Sequence, residues 1–331
     1  MQHKKNSIFA IYKILKDHAD EEHPISQTEL CKKLEEDYNI KLERRAIYTN
    51  LDMLQELGIK LSTWRENGKG YYLKERQFSE GEVSLLCNAI HASHFIPQKE
   101  SDILIKKLLD TQSRQQKNNF HANTYLPNEL KTNNNSIIDN FRDIDKAIAE
   151  NKQITFHYYH YNEKKELYDS SPKRIISPYF IVHANERAYV VGAIRKNGEI
   201  MIRHFRIDRI ADLSILDETS IKRPKDLCTD AYLYANANLM MFRGDTIPIG
   251  LRCTENALSQ MIDVFGTNTI FIKNGDHYDF TVKTSRSGIL IFAQQYLDFV
   301  QITSPDDVRL EFENRLENAL KRSRSLVNDE A

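Results

Sequence analysis

The chain is poor in cysteine. Its four cysteines, Cys31, Cys87, Cys228 and Cys253, are scattered over 331 residues and form no Cys-x-x-Cys pair. A disulfide framework or a zinc site is therefore not expected, and the thiols fit a reducing cytoplasm. Long apolar runs are missing too: none reaches the ~18 residues that span a bilayer. The start, MQHKKNSIFAIYKILKDHAD, lacks the continuous apolar core of a signal peptide. The expected location is cytoplasmic, with no membrane partner. Net charge is only −1, so a nucleic-acid binder of this composition must gather its positive charge locally. No GxSxG, HExxH, P-loop or DxD-type set is present, so neither an enzyme nor a bound cofactor is expected.

What is present is an ordinary globular composition, 40% hydrophobic and 28% charged, long enough for two or three domains. Residues 6–57 read as three helices. Ile8, Ile11, Ile14 and Leu15 recur at helical spacing, and Ser26-x-x-Glu29 is a capping-box pattern opening a second helix. In LERRAIYTNLDMLQELG, Ile47, Leu51 and Leu54 share one face, with Gly58 at the stop. Arg45, Tyr48, Thr49 and Asp52 then point outward and Arg44 lies near the helix start, as in a recognition helix entering the major groove. IKLSTWRENGKGYYLKE follows as a predicted hairpin around a Glu-Asn-Gly-Lys-Gly turn. Residues 1–76 hold 14 Lys/Arg and 13 Asp/Glu, but residues 41–76 hold eight against five. The candidate DNA contacts are Arg44, Arg45, Tyr48, Thr49, Arg65 and Lys69, through phosphate oxygens and base edges.

The richest stretch is 154–210, where ITFHYYHYN, RIISPYFIVHANERAYVVGAI and EIMIRHFRIDRI alternate like short strands. From Arg195 to Arg209 there are five Lys/Arg (Arg195, Lys196, Arg203, Arg206, Arg209) against Glu199 and Asp208. His157 and His160 cannot share a metal, because i and i+3 of a strand face opposite ways. In IMIRHFRIDRI, taken as one regular strand, Arg203, Phe205, Ile207 and Arg209 share a face, and Arg203 and Arg209 bracket Phe205 as a ligand cradle. A bulge would re-sort them, and Arg206 and Asp208 can instead pair with each other.

Phe156-x-Tyr158, Ser177-Pro178-Tyr179, Ala188-Tyr189-Val190 and Arg203-x-Phe205-Arg206-x-Asp208-Arg209-Ile210 together resemble the WYL domain of bacterial transcription regulators. The naming tripeptide keeps only its tyrosine, Tyr189. The resemblance implies a small Sm-like β-barrel that senses nucleotides or nucleic-acid fragments. It places the ligand at Tyr158, Arg203, Arg206 and Arg209, with Arg174 and His183 as weaker additions. It also implies a winged helix-turn-helix at the head of the chain.

The predicted fold class is α+β multidomain. A winged helix-turn-helix occupies 1–76, a helical connector and polar linker 77–135, the WYL domain 136–220 and a connector 221–245. A ferredoxin-like βαββαβ domain, resembling the extension that follows WYL barrels, fills 246–331. The function expected is a ligand-responsive transcription regulator, a repressor by preference. It would bind double-stranded DNA at a pseudo-palindromic operator as a homodimer, with a nucleotide or oligonucleotide effector. An RNA- or single-strand-binding module is the alternative, and a nucleic-acid-processing enzyme a more distant one.

Overall fold

Three helices open the chain: α1 (Gln2–His18), α2 (Gln27–Tyr38) and α3 (Arg44–Glu56). The computed structural model describes residues 2–121, 126–168, 172–228, 230–242, 244 and 246–328. It divides into two units, Met1–Asn135 and Ser136–Ala331. It is a mixed α/β multidomain chain, helical in its N-terminal part and built on antiparallel sheets beyond it. Among the described residues no helix is long and apolar enough to cross a membrane.

The capping box opens α2 as its residues dictate: Glu29 N–H donates to Ser26 Oγ at 3.2 Å, and Ser26 N–H donates to Glu29 Oε2 at 2.8 Å. Ile11, Leu15, Leu30, Leu34, Ile47 and Leu51 fill the core between the three helices. Residues 60–74 form the hairpin, closed by Ser62 N–H to Tyr72 O at 3.0 Å and Lys74 N–H to Lys60 O at 2.8 Å. Its strands shrink to isolated bridges, Leu61 with Leu73 and Ile25 with Tyr71. The tip differs from the predicted Glu-Asn-Gly-Lys-Gly turn. Thr63 and Glu66 make a second capping box, which winds Trp64–Asn67 into a helical turn, α4, ended by Gly68 at φ 65°. Gly70 lets the hairpin reach the start of α2, because a Cβ there would lie 2.3 Å from Ile25 O.

Helices α5 (Glu80–Ala92) and α6 (Gln98–Leu109) pack on each other through Val83, Cys87 and Ile105. The stretch 113–135, within the predicted helical connector and polar linker, is structured where it is described. Ser113 caps α7 (Arg114–Asn119) through a box with Gln116. Lys131 is 5% exposed. Its ammonium donates to Ser93 O at 3.0 Å, Ser101 Oγ at 3.2 Å, Ile90 O at 3.3 Å and Ile96 O at 3.4 Å. Composition reads this segment as solvated because the acceptors that bury Lys131 lie some thirty to forty residues away.

In the second unit α8 (Ile137–Ala149) packs on a five-stranded antiparallel sheet of order β6-β5-β4-β1-β7. Its strands are β1 (Lys152–Tyr158), β4 (Arg174–Ala184), β5 (Arg187–Lys196), β6 (Glu199–Arg206) and β7 (Ile210–Thr219), with β2 (His160–Tyr161) and β3 (Leu167–Tyr168) as a separate small hairpin. Alternation in β1 buries Ile154 and Phe156 completely. The stretch predicted as one strand, IMIRHFRIDRI, breaks: β6 ends at Arg206, and Ile207–Arg209 form a 3₁₀ turn into β7. Ile207 and Arg209 therefore leave the face they were expected to share with Arg203 and Phe205.

The predicted connector 221–245 contains α9 (Ala231–Ala237), capped by Asp230. Beyond it, β8 (Thr246–Thr254), α10 (Leu258–Phe265), β9 (Ile272–Asn274), β10 (His277–Ser285), α11 (Arg286–Gln295) and β11 (Val300–Ser304) precede α12 (Asp306–Asn328). Their sheet runs β11-β8-β10-β9, with every neighbouring pair antiparallel.

Candidate nucleic-acid interface and ligand site

In the N-terminal unit, α3 buries Ile47, Asn50, Leu51 and Leu54 and leaves Arg44, Arg45, Tyr48 and Thr49 exposed. Tyr48 is held against the start of α2, its hydroxyl donating to Gln27 Oε1 at 3.1 Å. Thr49 Oγ1 donates back to Arg45 O at 3.1 Å. Ion pairing then sorts the cations. Lys41 pairs with Glu35, Lys60 with Glu75 and Lys74 with Glu66. Arg76 is turned inward, donating to Lys16 O, Ala19 O and Thr111 O. Of the eight Lys/Arg within 41–76, Arg44, Arg45, Arg65 and Lys69 are left exposed with no ion pair among the described residues. Two lie at the start of α3 and two at the hairpin tip.

In the second unit the candidate residues separate into two groups. Phe156, Tyr158 and Phe205 form an aromatic cluster, with Phe205 edge-on to Phe156 at 5.3 Å and to Tyr158 at 5.2 Å. Arg174 stands opposite Phe156 in the register, so both lie on one face. Arg203 shares the face of Phe205 by alternation and stands opposite Gly192. That glycine is required: a Cβ there would lie 2.5 Å from Ser177 O. Among the described residues, Arg203 Nη1 and Arg209 Nε are buried without a hydrogen-bond partner. Arg203 makes one long contact, Nη2 to Met201 Sδ at 3.6 Å, and Arg209 lies 5.9 Å above the Tyr161 ring. Burial pushes Arg203 down from its ordinary value and the Tyr158 phenol up.

Arg206 has a different role. Its guanidinium makes a fork onto Asp208, Nε to Oδ1 at 3.0 Å and Nη2 to Oδ2 at 2.6 Å. Its backbone N–H donates to Tyr158 Oη at 3.2 Å. Arg187, which sequence reasoning passed over, joins the same carboxylate at 3.5 Å. Nothing near Arg187 in sequence signals this; the two-residue turn at Asn185 and Glu186, both at positive φ, delivers it. Burial works against the charge of Arg206, yet the Asp208 bonds and charge hold it above its ordinary value. The weaker candidates do not sit together. Arg174 begins β4, whereas His183 is exposed near its far end and stacked on Phe141 at 6.2 Å.

On the opposite side of β6, His204 hydrogen-bonds Tyr234 of α9, a residue 5% exposed. Thr284 of β10 donates to Asn236 O at 3.1 Å, tying α9 to the C-terminal sheet. Among the described residues, no group of three His, Cys, Asp or Glu side chains is placed to hold a metal ion.

Residues 139–215 match the family model of the WYL domain. This segment is a WYL domain. It runs from α8 into β7 and contains the aromatic and arginine clusters. No curated protein matches the chain. Among solved structures, the chain is similar to "Proteasome accessory factor B/C (PafBC) of Arthrobacter aurescens", at 16% identity and a TM-score of 0.26, over 96% of this chain and 49% of that one. It thus spans about half of PafBC. It is also similar to a structure titled "Crystal structure of a CRISPR Cas-related protein", at 14% identity and a TM-score of 0.36, over 98% of this chain and 92% of that one.

Proposed function

We propose that this protein is a DNA-binding transcription regulator, a repressor, whose N-terminal unit acts as a winged helix-turn-helix and whose WYL domain senses a nucleotide or short oligonucleotide. The observation that carries the DNA function is the set of four exposed cations with no ion pair, Arg44, Arg45, Arg65 and Lys69, on α3 and the hairpin tip. Pairing with acids removes Lys41, Lys60 and Lys74 from this face and Arg76 is turned inward, so the free charge of 41–76 gathers at the start of α3 and the hairpin tip. A homodimer would set two α3 helices about one turn of DNA apart, ~34 Å, on a pseudo-palindrome. The sensor function is supported by Arg203 and Arg209, whose buried N–H groups lack partners beside the Phe156–Tyr158–Phe205 cluster. Guanidinium donors suit phosphate, and an aromatic face suits a base. The ligand would shift the DNA-competent population by its difference in affinity for the two states. No catalytic step is assigned.

The test is titration of the protein against duplex DNA from upstream of its own gene, with a scrambled duplex as control, at ~150 mM salt because phosphate contacts make affinity salt-dependent. Selective binding is expected, weakened by Arg44→Ala and Arg45→Ala and kept by Arg203→Ala. Each phosphate contact removed should flatten the log–log salt slope by about 0.9. Single-stranded RNA binding that survives deletion of residues 1–76, with no duplex binding, would refute the DNA-reader function.

A further inference from the structure

A groove of about 470 Å³ lies between α3 and the hairpin. Its floor is apolar: Leu51, Leu61 and Tyr71 are each less than a tenth exposed. Its walls carry two large rings left in water, Tyr48 at 46% and Trp64 at 53% exposure. Asp52 and Gln55 of α3 and Arg65 of the hairpin complete the rim. An apolar floor, aromatic walls and a few polar groups at the edge suit a flat ring with a polar perimeter.

The surroundings narrow the choice. Arg65 belongs to the set of exposed cations without an ion pair, so the partner at this surface is anionic. Asp52 opposes a phosphate inside the groove, because two anions would meet there. A carboxylate at that place instead accepts from an exocyclic amino group, which adenine, cytosine and guanine carry and thymine lacks. A flat ring with an amino edge, carried on an anionic backbone, is a nucleobase in a strand.

We infer that the groove takes one unpaired, amino-bearing nucleobase of the bound nucleic acid, stacked on Trp64 and Tyr48, with Asp52 and Gln55 at its edge and Arg65 at the adjoining phosphate. The inference rests on the DNA-binding function proposed above. Extruding a base is least costly where it is already unpaired, so the groove converts an unpaired amino-bearing base into added affinity.

The experiment uses the full chain and labelled duplexes that are fully paired or carry one bulged adenine, cytosine or thymine. Trp64 is the only tryptophan, so its emission reports this groove alone. Adenine and cytosine bulges should bind more tightly than the paired duplex, thymine less so, and Trp64 emission should be quenched. Trp64→Ala should cost about 5- to 100-fold on the bulged duplexes and erase their advantage. Trp64→Phe should retain most of it and serves if the alanine variant fails to fold. Arg45→Ala should weaken paired and bulged duplexes alike. Equal binding of paired and bulged duplexes with unchanged Trp64 emission, or an advantage that survives Trp64→Ala, overturns the inference while Arg45-dependent duplex binding leaves the DNA function standing. If no duplex binds at all, both fall.

Discussion

Replacing Arg203 with methionine should stabilise the WYL domain while removing ligand binding. The expectation comes from the side chain's poor local position. Among the described residues Nη1 is buried without a partner, and the side chain's one hydrogen bond is the 3.6 Å contact to Met201 sulfur. A buried donor left unmet costs about 1–3 kcal/mol. Methionine keeps most of the aliphatic stem and its packing over Gly192, and removes the donor. Subtracting the weak sulfur contact leaves a net gain of about 1 kcal/mol. The chain has two units, so a single global unfolding free energy is poorly defined. Amide hydrogen exchange in β5 and β6 measures the local quantity, and their protection should rise about fivefold. Binding of a short single-stranded oligonucleotide should fall at least about tenfold, the loss of one charged hydrogen bond. Protection that falls by more than about tenfold, a loss of about 1.4 kcal/mol, would refute the reasoning and make Arg203 a structural residue.

Asp208→Asn should do the opposite, because it leaves Arg206 and Arg187 facing each other with no carboxylate between them. The cost should sit near the lower end of the about 3–5 kcal/mol seen when a buried pair is broken, since each arginine keeps 22% of its side-chain surface in water. Exchange in β5 and in the turn before β7 would show it. Lys131→Met should destabilise the N-terminal unit by about 1–3 kcal/mol, because three carbonyls and the Ser101 hydroxyl lose their donor. Urea unfolding followed by Trp64 emission reads that unit. His204 gives the pH dependence. Burial holds its imidazole below the ordinary value of 6.5, against a hydrogen bond to Met241 backbone and with help from the Arg203 charge. Below pH 6.5 the unfolded chain takes up a proton that the folded one refuses. Stability is therefore complete above 6.5 and falls as pH drops, by at most about 1.4 kcal/mol per pH unit. His204→Gln should flatten this slope in the exchange of β6 and α9. A local readout is needed because burial also lowers His18, in the other unit.

The elements that rest on neighbours in sequence were legible, and those that rest on distant partners were not. Ser26-x-x-Glu29 announces α2 because both capping bonds form within four residues. The Ile47, Leu51 and Leu54 stripe orients α3 for the same reason. Two further boxes of that kind, Thr63 with Glu66 and Ser113 with Gln116, were equally local. Glycines masked the first and an Asn-rich composition the second. The resemblance carried by Arg203 to Ile210 lies inside the matched segment 139–215. Alternation alone could not end β6 at Arg206. The turn there is held by the Arg206–Asp208 fork, and by Arg187 arriving from another strand.

The same limit explains why a charge count locates a site without resolving it. Counting treats every arginine between 195 and 209 as equally available. Folding makes them unequal: Arg206 is neutralised by a carboxylate that is 4% exposed, whereas Arg203 and Arg209 keep N–H groups that no described residue satisfies. In α3 and the hairpin, pairing removes Lys41, Lys60 and Lys74 and leaves Arg44, Arg45, Arg65 and Lys69. A cation already paired gains little from an anionic ligand, because it must first give up its acid. A cation held without one has already met the cost of its position, so nearly all of its attraction goes to the ligand. Within each candidate site, the uncompensated cations rather than the dense ones mark the residues that should bind.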